Sequence, residues 1–267
     1  MAYTTRKAGG EQMNMTVEYK QSQSEAKTLW ERHCHAKYEL ICVLEGNITI
    51  TIEGRNFQLT KNHFAVISPL DFHSVSINDS SVYKRVTLLF GEDDIPVPVR
   101  DSFAARARTN PVVYHPYNQQ IFNQLPDCLD NDGFEPLLQS LLIQLMYIIL
   151  EGRAKLKVAE PSGKILPVLR YIDENITRKI TLDDICKAVF ISKSTLCHLF
   201  ETEMNTTVKQ YILQKKIAYA DYLLKSGKSA AAVAEEIGYD NYSDFYRIFK
   251  KINAQSPVRK KAGSNPK

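Results

Sequence analysis

The chain has 267 residues, 44% hydrophobic and 24% charged, a balance that supports a core under a polar surface and excludes a disordered or collagen-like chain. Residues 163–267 hold 18 Lys and Arg against 11 Asp and Glu (net +7), whereas residues 1–162 hold 16 against 19 (net −3). This asymmetry predicts two domains, of which the second faces a polyanion such as nucleic acid.

The first third of the chain has the pattern of a β domain. Residues 1–30 are polar, and we expect them to be only partly ordered. Short runs rich in β-branched and aromatic residues then alternate with turn signals, which indicates closely spaced antiparallel strands in a barrel or sandwich. The predicted strands are Tyr38–Leu44, Ile48–Ile52, Phe57–Leu59, Phe64–Ser68 and Val82–Phe90. Residues 91–117 show no period, and we expect irregular structure there.

Helical periodicity begins after residue 118. Gln119–Cys128 and Glu135–Leu150 are predicted helices, and the second carries an apolar stripe from Leu138 to Ile149. That stripe would pack either on the β domain or on a second copy of the chain. A polar, Pro- and Gly-containing segment follows, so we expect a domain over residues 1–150, a linker over 151–163 and a second domain over 164–267.

The second domain is predicted to be almost wholly helical. The expected helices are Ile165–Asn175, Leu182–Val189 after Thr181, one from the N-cap Ser192 to about Met204, one from Thr206 or Thr207 to about Leu224, and two short ones capped by Ser229 and Asn241.

An internal repeat with an offset of 49 residues carries the functional signal. The matching pairs are Ala188 and Ile237, Ser192 and Asn241, Leu196 and Phe245, Leu199 and Ile248, and Phe200 and Phe249. Each copy has the pattern of a helix-turn-helix, with Gly238 in the second turn and Val189 at the equivalent place in the first. The helix between the copies, about 19 residues and about 28 Å long, could hold two recognition helices in adjacent major grooves about 34 Å apart.

The second copy contains the densest motif of the chain: Ile237-Gly238-Tyr239, Asn241-Tyr242-Ser243, Phe245, Arg247, Phe249-Lys250-Lys251 and Ser256-Pro257. With further matches back to Ile165 and on to Lys261, the region resembles the DNA-binding domain of AraC-family (AraC/XylS) transcriptional regulators. It departs from the family pattern at Asn205 and Ala254, where glycine is usual, and at Lys260-Lys261, which replace an aromatic-Arg pair.

Two sets of side chains are expected to face DNA. With Leu196, Leu199 and Phe200 in the core, the first helix presents Lys193, Ser194, Cys197 and His198, and the resemblance implies base contacts for the last three. The equivalent residues of the second helix are Tyr242, Ser243, Tyr246 and Arg247. Arg247 can pair bidentately with guanine, whereas Lys193, Lys250 and Lys251 suit phosphates. The competing interpretations are solvated surface charges for the lysines and a salt bridge to Asp240 or Asp244 for Arg247.

Four residues of the β domain form a second candidate site. His33, His35 and Glu39 share one face of an extended strand, and His73 follows a turn at Pro69. The pattern H-x-H-x-x-x-E resembles the cupin family, and in AraC-family proteins such a domain is generally an effector sensor. We weigh three roles: polar contacts to a small ligand such as a sugar, metal ligation, and ordinary structural histidines. The first is preferred, with no metal and no cofactor.

We therefore expect a two-domain α+β protein: an N-terminal cupin-like β-barrel with following helices, and a C-terminal all-α domain with two helix-turn-helix units. The expected partners are double-stranded promoter DNA, a small-molecule effector and a second copy of the chain, with RNA polymerase as a further candidate. No apolar run long enough for a membrane span and no catalytic motif is found, and five cysteines without a CxxC pair favour the cytoplasm. The alternatives are a metal-dependent cupin enzyme with an appended DNA-binding module and a DNA-binding protein whose N-terminal half only dimerises.

Overall fold

The computed structural model describes residues 2–7, 16–23, 32–79, 82–114, 134–151, 163–253 and 256–257. Its contacts divide the chain into two compact units. The N-terminal unit comprises Met1–His33 and Lys37–Glu160, and the C-terminal unit comprises Pro161–Lys267 with the short segment Cys34–Ala36. A sheet-rich first unit and a helical second unit agree with the expected two-domain architecture.

Nine strands lie in the described part of the N-terminal unit: β1 (Ala2–Lys7), β2 (Thr16–Gln23), β3 (Tyr38–Glu45), β4 (Ile48–Ile52), β5 (Arg55–Leu59), β6 (His63–Ile67), β7 (His73–Ile77), β8 (Val82–Phe90) and β9 (Val112–Tyr114). Antiparallel pairs join them into a six-stranded sheet in the order β1-β2-β8-β3-β6-β9 and a three-stranded sheet in the order β5-β4-β7. The antiparallel pairing was expected, while closure of these sheets into a barrel stays a prediction.

The hairpin formed by β4 and β5 shows how the local sequence determines the structure of this unit. Ile52 pairs with Arg55, which leaves a two-residue loop with φ of 46° at Glu53 and 76° at Gly54. Positive φ at both loop residues is the geometry that matches the twist of a tight hairpin. Alternate residues of β4, Ile48, Ile50 and Ile52, are fully buried and join the core between the two sheets.

The structure of this unit differs from the sequence-based expectations in three places. Residues 1–30 contain β1 and β2, because β2 pairs with β8 from Thr16 to Gln23 and buries Val17. Residues 91–117 contain helix α1 (Arg100–Thr109) and β9. The sequence does not predict this helix because only Phe103 and Ala107 are buried, and two apolar positions among polar neighbours give no clear helical period. The strand β7 was also missed, since its His and Ser residues interrupt the apolar pattern although four of its five residues are buried.

Helix α2 (Phe134–Glu151) covers one side of the N-terminal unit. Its described apolar stripe joins a core with α1 and the six-stranded sheet; the stripe residues are Leu141, Leu142, Leu145, Met146, Ile148 and Ile149. Of the two contacts considered for this stripe, its described residues make the one with the β domain, so they are not available for the dimer contact that was the alternative. The side chain of Leu138 and the predicted helix Gln119–Cys128 lie outside the described residues.

Six helices are described in the C-terminal unit: α3 (Ile165–Glu174), α4 (Leu182–Val189), α5 (Lys193–Glu203), α6 (Val208–Lys225), α7 (Ala230–Glu236) and α8 (Tyr242–Asn253). The predicted N-caps are confirmed at four of them, because the hydroxyls of Thr181, Ser192, Thr207 and Ser229 each accept a hydrogen bond from the amide three residues on. Among the described residues, none of the helices combines the length and apolar character needed to cross a bilayer.

The two turns of the repeat differ, as the sequence indicated. In the second copy the left-handed residue is Gly238, with φ of 77°, and in the first copy it is Phe190, with φ of 56°. Phe190 lies one repeat position later than Gly238, because α4 continues through Val189 before it ends. Asn205, where the AraC family usually has glycine, also adopts positive φ, which its short polar side chain tolerates.

Candidate nucleic-acid interface and effector pocket

The helix α5 separates an apolar face from a polar one. Leu196, Leu199 and Phe200 are buried, as expected for the face that holds the helix in the C-terminal unit. The four candidate DNA contacts Lys193, Ser194, Cys197 and His198 are all exposed. The face opposite the core is thus available to a large ligand.

Two of these four side chains have protein partners near the start of α5. The Lys193 ammonium lies 2.8 Å from the Asp183 carboxylate, and this hydrogen bond raises the pKa of the lysine above its usual value. The Ser194 hydroxyl lies 2.8 Å from the Ser192 hydroxyl, which also caps the helix. Because both partners of the Lys193 pair are more than half exposed, solvent screening keeps the pair weak and exchangeable.

The helix α8 repeats this division. Phe245 and Phe249 are buried, whereas Tyr242, Ser243, Arg247, Lys250 and Lys251 are exposed and Tyr246 is half-buried. The Asn241 side chain accepts a hydrogen bond from the Ser243 amide at 2.8 Å, so it caps the helix as predicted. The Arg247 guanidinium lies 2.9 Å from Asp244, which is one of the two salt bridges considered as the competing role for this arginine.

The long helix α6 packs against both candidate recognition helices, α5 and α8. The Phe200 ring of α5 meets Tyr211, near the start of α6, edge-on at 5.3 Å. Phe245 and Phe249 of α8 share a core with Ile217, Ala220 and Leu223, near the end of α6. The 18 residues of α6 correspond to about 27 Å, close to the length expected from sequence.

Two buried lysines of α6 were not predicted as important. The Lys215 ammonium lies 2.5 Å from Asp173, over the ring of Tyr211. Lys216 donates hydrogen bonds of 2.5 Å to the carbonyls of Arg178 and Ile237, and burial lowers its pKa to about 8. The hydrophobic pattern of a helix predicts that its lysines are exposed. The burial of Lys215 and Lys216 depends on partners about 20 to 40 residues away, which the local sequence does not indicate.

Three of the four candidate pocket residues converge within the N-terminal unit. His33, Glu39 and His73 each offer one nitrogen or oxygen, and these atoms lie within 4.8 Å of one another. His35 lies in the segment Cys34–Ala36, which groups with the C-terminal unit. His33 and His73 are joined by two backbone hydrogen bonds of 3.1 and 3.0 Å, and their rings are 4.3 Å apart. The Nε2 atom of His73 lies 3.2 Å from Glu39. Burial by itself lowers the pKa of His73, but Glu39 and Asp71, which both interact with the ring through a hydrogen bond and charge, together outweigh it and raise the pKa overall.

Further polar side chains on β8 share the face that carries Glu39. Thr87 lies opposite Ile41 and Arg85 opposite Val43, two and four residues along β3 from Glu39. Directly paired residues lie on one face of a sheet, so these side chains enter the same space between the two sheets. Thr87, Arg85 and Tyr83 are buried there, and the Arg85 guanidinium lies over the Tyr83 ring. Sequence reasoning did not identify Arg85 and Thr87 as pocket residues. The signal that could have identified them is the alternation of polar side chains in an otherwise apolar strand.

Comparison with known proteins gives matches for both units. The family model described as the AraC-like ligand binding domain matches residues 17–146, and the model of a helix-turn-helix domain matches residues 185–261.

Three curated relatives extend these matches. The probable transcriptional regulator LumQ of Photobacterium leiognathi is 23% identical over 85% of this chain and 90% of its own length. The uncharacterized HTH-type transcriptional regulator YdiP of Escherichia coli is 30% identical over 85% of this chain and 80% of its own length. The raffinose operon transcriptional regulatory protein RafR of Pediococcus pentosaceus is 30% identical over about half of each chain (50% and 48%). All three carry the names of regulators, which does not favour the alternative of a cupin enzyme.

Proposed function

The chain belongs to the AraC family of transcriptional regulators, and we propose that it reads a promoter with two helix-turn-helix units under the control of a small molecule. The units are α4 with α5 and α7 with α8. The observation that carries this proposal is the pair of equivalent polar faces on α5 and α8, each opposite a buried apolar face and each packed near a different end of α6.

We propose that the two faces contribute unequally to sequence discrimination. Arg247 offers a planar pair of donors for guanine, while Ser194, Cys197 and His198 offer short or single contacts. Tyr242, Ser243 and Tyr246 complete the second face. Lys193, Lys250 and Lys251 contact phosphates, which fix the position of the protein on the duplex without reading sequence.

DNA binding can be tested on duplexes enriched from a random library by the full-length protein. We expect fluorescence anisotropy to show specific binding that weakens steeply as salt rises, because each phosphate contact releases a counterion. The double variant Lys250→Ala/Lys251→Ala should reduce the salt slope by about two on every duplex. Failure to enrich any duplex, or affinity that does not depend on salt, would rule out the proposed function.

In the N-terminal unit, we propose that residues 1–150 bind an effector between the two sheets. His33, His35, Glu39 and His73 supply polar contacts from one side, and Arg85 and Thr87 supply them from β8. The name of RafR refers to a sugar operon, and hydroxyl groups of a carbohydrate suit this mixture of donors and acceptors. Effector binding would shift the population of arrangements that present both units to DNA.

The effector role can be tested by thermal unfolding of the full-length protein with a panel of mono- and oligosaccharides. A matching sugar should raise the melting temperature and change the affinity for the enriched duplex. The variant Thr87→Val, which keeps the shape of the side chain, should weaken this response. If no small molecule in the panel or in a cell extract shifts the melting temperature, the result would support the alternative of an N-terminal half that only dimerises.

A homodimer in the cytoplasm is the form that we propose to act on promoters. The stripe of α2 that first suggested dimerisation is buried within the unit, but Ile143 and Tyr147 on the opposite face are more than half exposed. Large exposed apolar side chains at helical spacing are a feature of protein contacts. RNA polymerase stays a candidate partner to which no residue is assigned.

A further inference from the structure

We propose that Asp244 is a specificity-determining residue of α8, which makes Arg247 selective for a G·C base pair by competing with other DNA groups for its guanidinium. The inference rests on the proposed function, because it concerns how the second helix-turn-helix unit selects a sequence. The sequence of α8 contains one acidic residue, Asp244, beside the basic Arg247, Lys250 and Lys251. A carboxylate on a helix that faces a polyanion weakens binding by repulsion, so its presence there requires a compensating gain.

The carboxylate and the guanidinium lie on the same exposed side of α8. The two residues are three positions apart, which makes them neighbours on the surface of a helix. The Nη2 atom of Arg247 donates a hydrogen bond of 2.9 Å to the Asp244 carboxylate, and both side chains are more than half exposed. The buried residues Phe245 and Phe249 hold the helix in the core, so packing does not depend on either member of the pair.

The pair disfavours contacts of Arg247 with phosphate. An arginine without a partner binds phosphate as well as guanine, because both offer two acceptor atoms to its planar donors. A phosphate that takes the guanidinium leaves the Asp244 carboxylate without its partner beside the negative backbone of the DNA. Asp244 therefore selects against contacts that carry no sequence information, and specific interfaces use repulsive elements in this way.

A G·C base pair satisfies both members of the pair. Guanine offers N7 and O6 to Arg247, and the N4 amino group of the paired cytosine can donate to a carboxylate in the same major groove. In an A·T pair the adenine N7 acceptor lies beside the N6 donor, so the guanidinium gains one acceptor and meets a competing donor. Arg247 thus exchanges Asp244 for a base without loss only at guanine, where the released carboxylate also finds a donor.

The first helix-turn-helix unit differs in this respect. Lys193 pairs with Asp183, which lies on α4 and not on the recognition candidate α5. The ammonium of a lysine is a compact point charge that suits a phosphate rather than the edge of a base. The four candidate DNA contacts of α5 contain no carboxylate. We therefore assign this role to the second unit alone.

The test uses anisotropy titrations of the full-length protein with the enriched duplex and with copies in which one G·C pair at a time is changed to A·T. Selectivity is the ratio of the affinities for the enriched and the changed duplex at the most sensitive position. Asp244→Asn keeps the size of the side chain and removes its charge. It should raise the affinity for the changed duplex and lower the selectivity by about fivefold or more. Asp244 is exposed, so this variant is expected to fold, which urea unfolding checks.

Two controls separate this role from a general effect of charge. Asp221→Asn makes the same change of charge in the pair that Asp221 forms with Lys225 on α6, outside both recognition faces. It should change the affinity for all duplexes by the same factor and keep the selectivity. The double variant Asp244→Asn/Arg247→Ala should have the selectivity of Arg247→Ala alone, because Asp244 acts through Arg247.

A loss of selectivity in Asp244→Asn that is absent in Asp221→Asn and adds nothing to Arg247→Ala supports the role. Affinity that changes alike on all duplexes in Asp244→Asn would overturn it and leave the pair as a solvated surface contact. A loss of selectivity that persists without Arg247 would overturn it as well. Failure to enrich any duplex refutes the proposed function and this inference with it, whereas specific binding with unchanged selectivity in Asp244→Asn refutes only the role of Asp244.

Discussion

Arg247 is the residue on which we propose that sequence discrimination depends most. Its side chain is 77% exposed and pairs with Asp244 one turn earlier on the same helix. An exposed ion pair of this kind contributes at most about 1 kcal/mol, so a guanine can replace Asp244 at little cost. The same pair limits the rotamers of the arginine before DNA arrives.

Arg247→Ala should reduce the affinity for the enriched duplex by about 1–3 kcal/mol, and the loss should be concentrated at one base pair. Anisotropy titrations with the enriched duplex and with single-base-pair variants measure this difference. The control is Lys250→Ala, which should weaken binding to all duplexes alike. An equal loss on every duplex for Arg247→Ala would show that this residue contacts phosphate.

Lys216 joins two segments of the C-terminal unit. It donates to the carbonyl of Arg178, in the segment after α3, and to that of Ile237, at the end of α7. Because burial lowers its pKa from 10.5 to about 8, the folded protein binds the proton less tightly than the unfolded chain. Between these two values the unfolded chain carries more protons, so the free energy of unfolding rises with pH.

This linkage predicts that the unfolding free energy of the wild type rises relative to that of Lys216→Met from pH 8 toward pH 10. The difference meant here is the value for the wild type minus the value for the variant. The slope is limited to about 1.4 kcal/mol per pH unit. Other titrating groups are common to both proteins and cancel in the difference. Urea unfolding followed by circular dichroism at several pH values provides the measurement. A difference that stays constant or shrinks with pH would contradict the account.

At the scale of elements, the helices of the C-terminal unit could be predicted best because their signals are local. Thr181, Ser192, Thr207 and Ser229 lie next to the amides that they cap, and α4 has the predicted bounds Leu182–Val189. The strand Ile48–Ile52 also has its predicted bounds. Alternation of buried and half-buried residues is visible without knowledge of the partner strand.

Elements that depend on distant partners could not be predicted. The polar strand β2 is held by backbone hydrogen bonds to β8, whose paired residues lie about 60 to 70 positions further along the chain. Backbone hydrogen bonds leave no trace in the side-chain pattern. The same limit applies to the site. The parity of His33, His35 and Glu39 predicted a shared face of one strand, which was wrong because β3 begins at Tyr38 and contains only Glu39 of the three. The approach of His73 depends on a backbone pairing with His33 across 40 residues. Buried Lys216 gave no signal because its acceptors are carbonyls.

The turn of the second helix pair depends on Gly238. Its φ is 77°, and an added Cβ would lie 2.9 Å from the amide nitrogen of Lys179 and 3.0 Å from the carbonyl carbon of Arg178. Gly227 also has positive φ, of 99°, but an added Cβ would meet nothing within 4 Å. The two glycines therefore share the conformational constraint and differ in the space around them.

We expect Gly227→Ala to cost about 1–2 kcal/mol of unfolding free energy from backbone strain alone. Gly238→Ala should cost clearly more, because the backbone of residues 178–179 must move, and it should also weaken DNA binding by displacing α8. Thermal or urea unfolding of both variants makes the comparison. An equal loss of unfolding free energy in the two variants would show that the close approach to residues 178–179 does not contribute to the cost of Gly238→Ala.

At the scale of the whole molecule, charge and length act together. The net charge of +7 over residues 163–267 attracts the duplex at long range, and the 18-residue α6 sets the distance between the two recognition candidates. A rigid spacer of about 27 Å suits two contacts on one face of B-DNA about one helical turn apart. In the proposed function, the N-terminal unit then has only to change the availability of this pair.

Hydroxyl-radical footprinting of the full-length protein on an enriched duplex tests whether both helix-turn-helix units contact the same face of the DNA. We expect two protected patches on one face, about 10–10.5 base pairs apart, and Arg247→Ala should weaken the patch that belongs to α8. Insertion of five base pairs between the patches should abolish simultaneous protection. A single patch, or two patches whose spacing does not affect binding, would contradict the use of two helix-turn-helix units joined by α6.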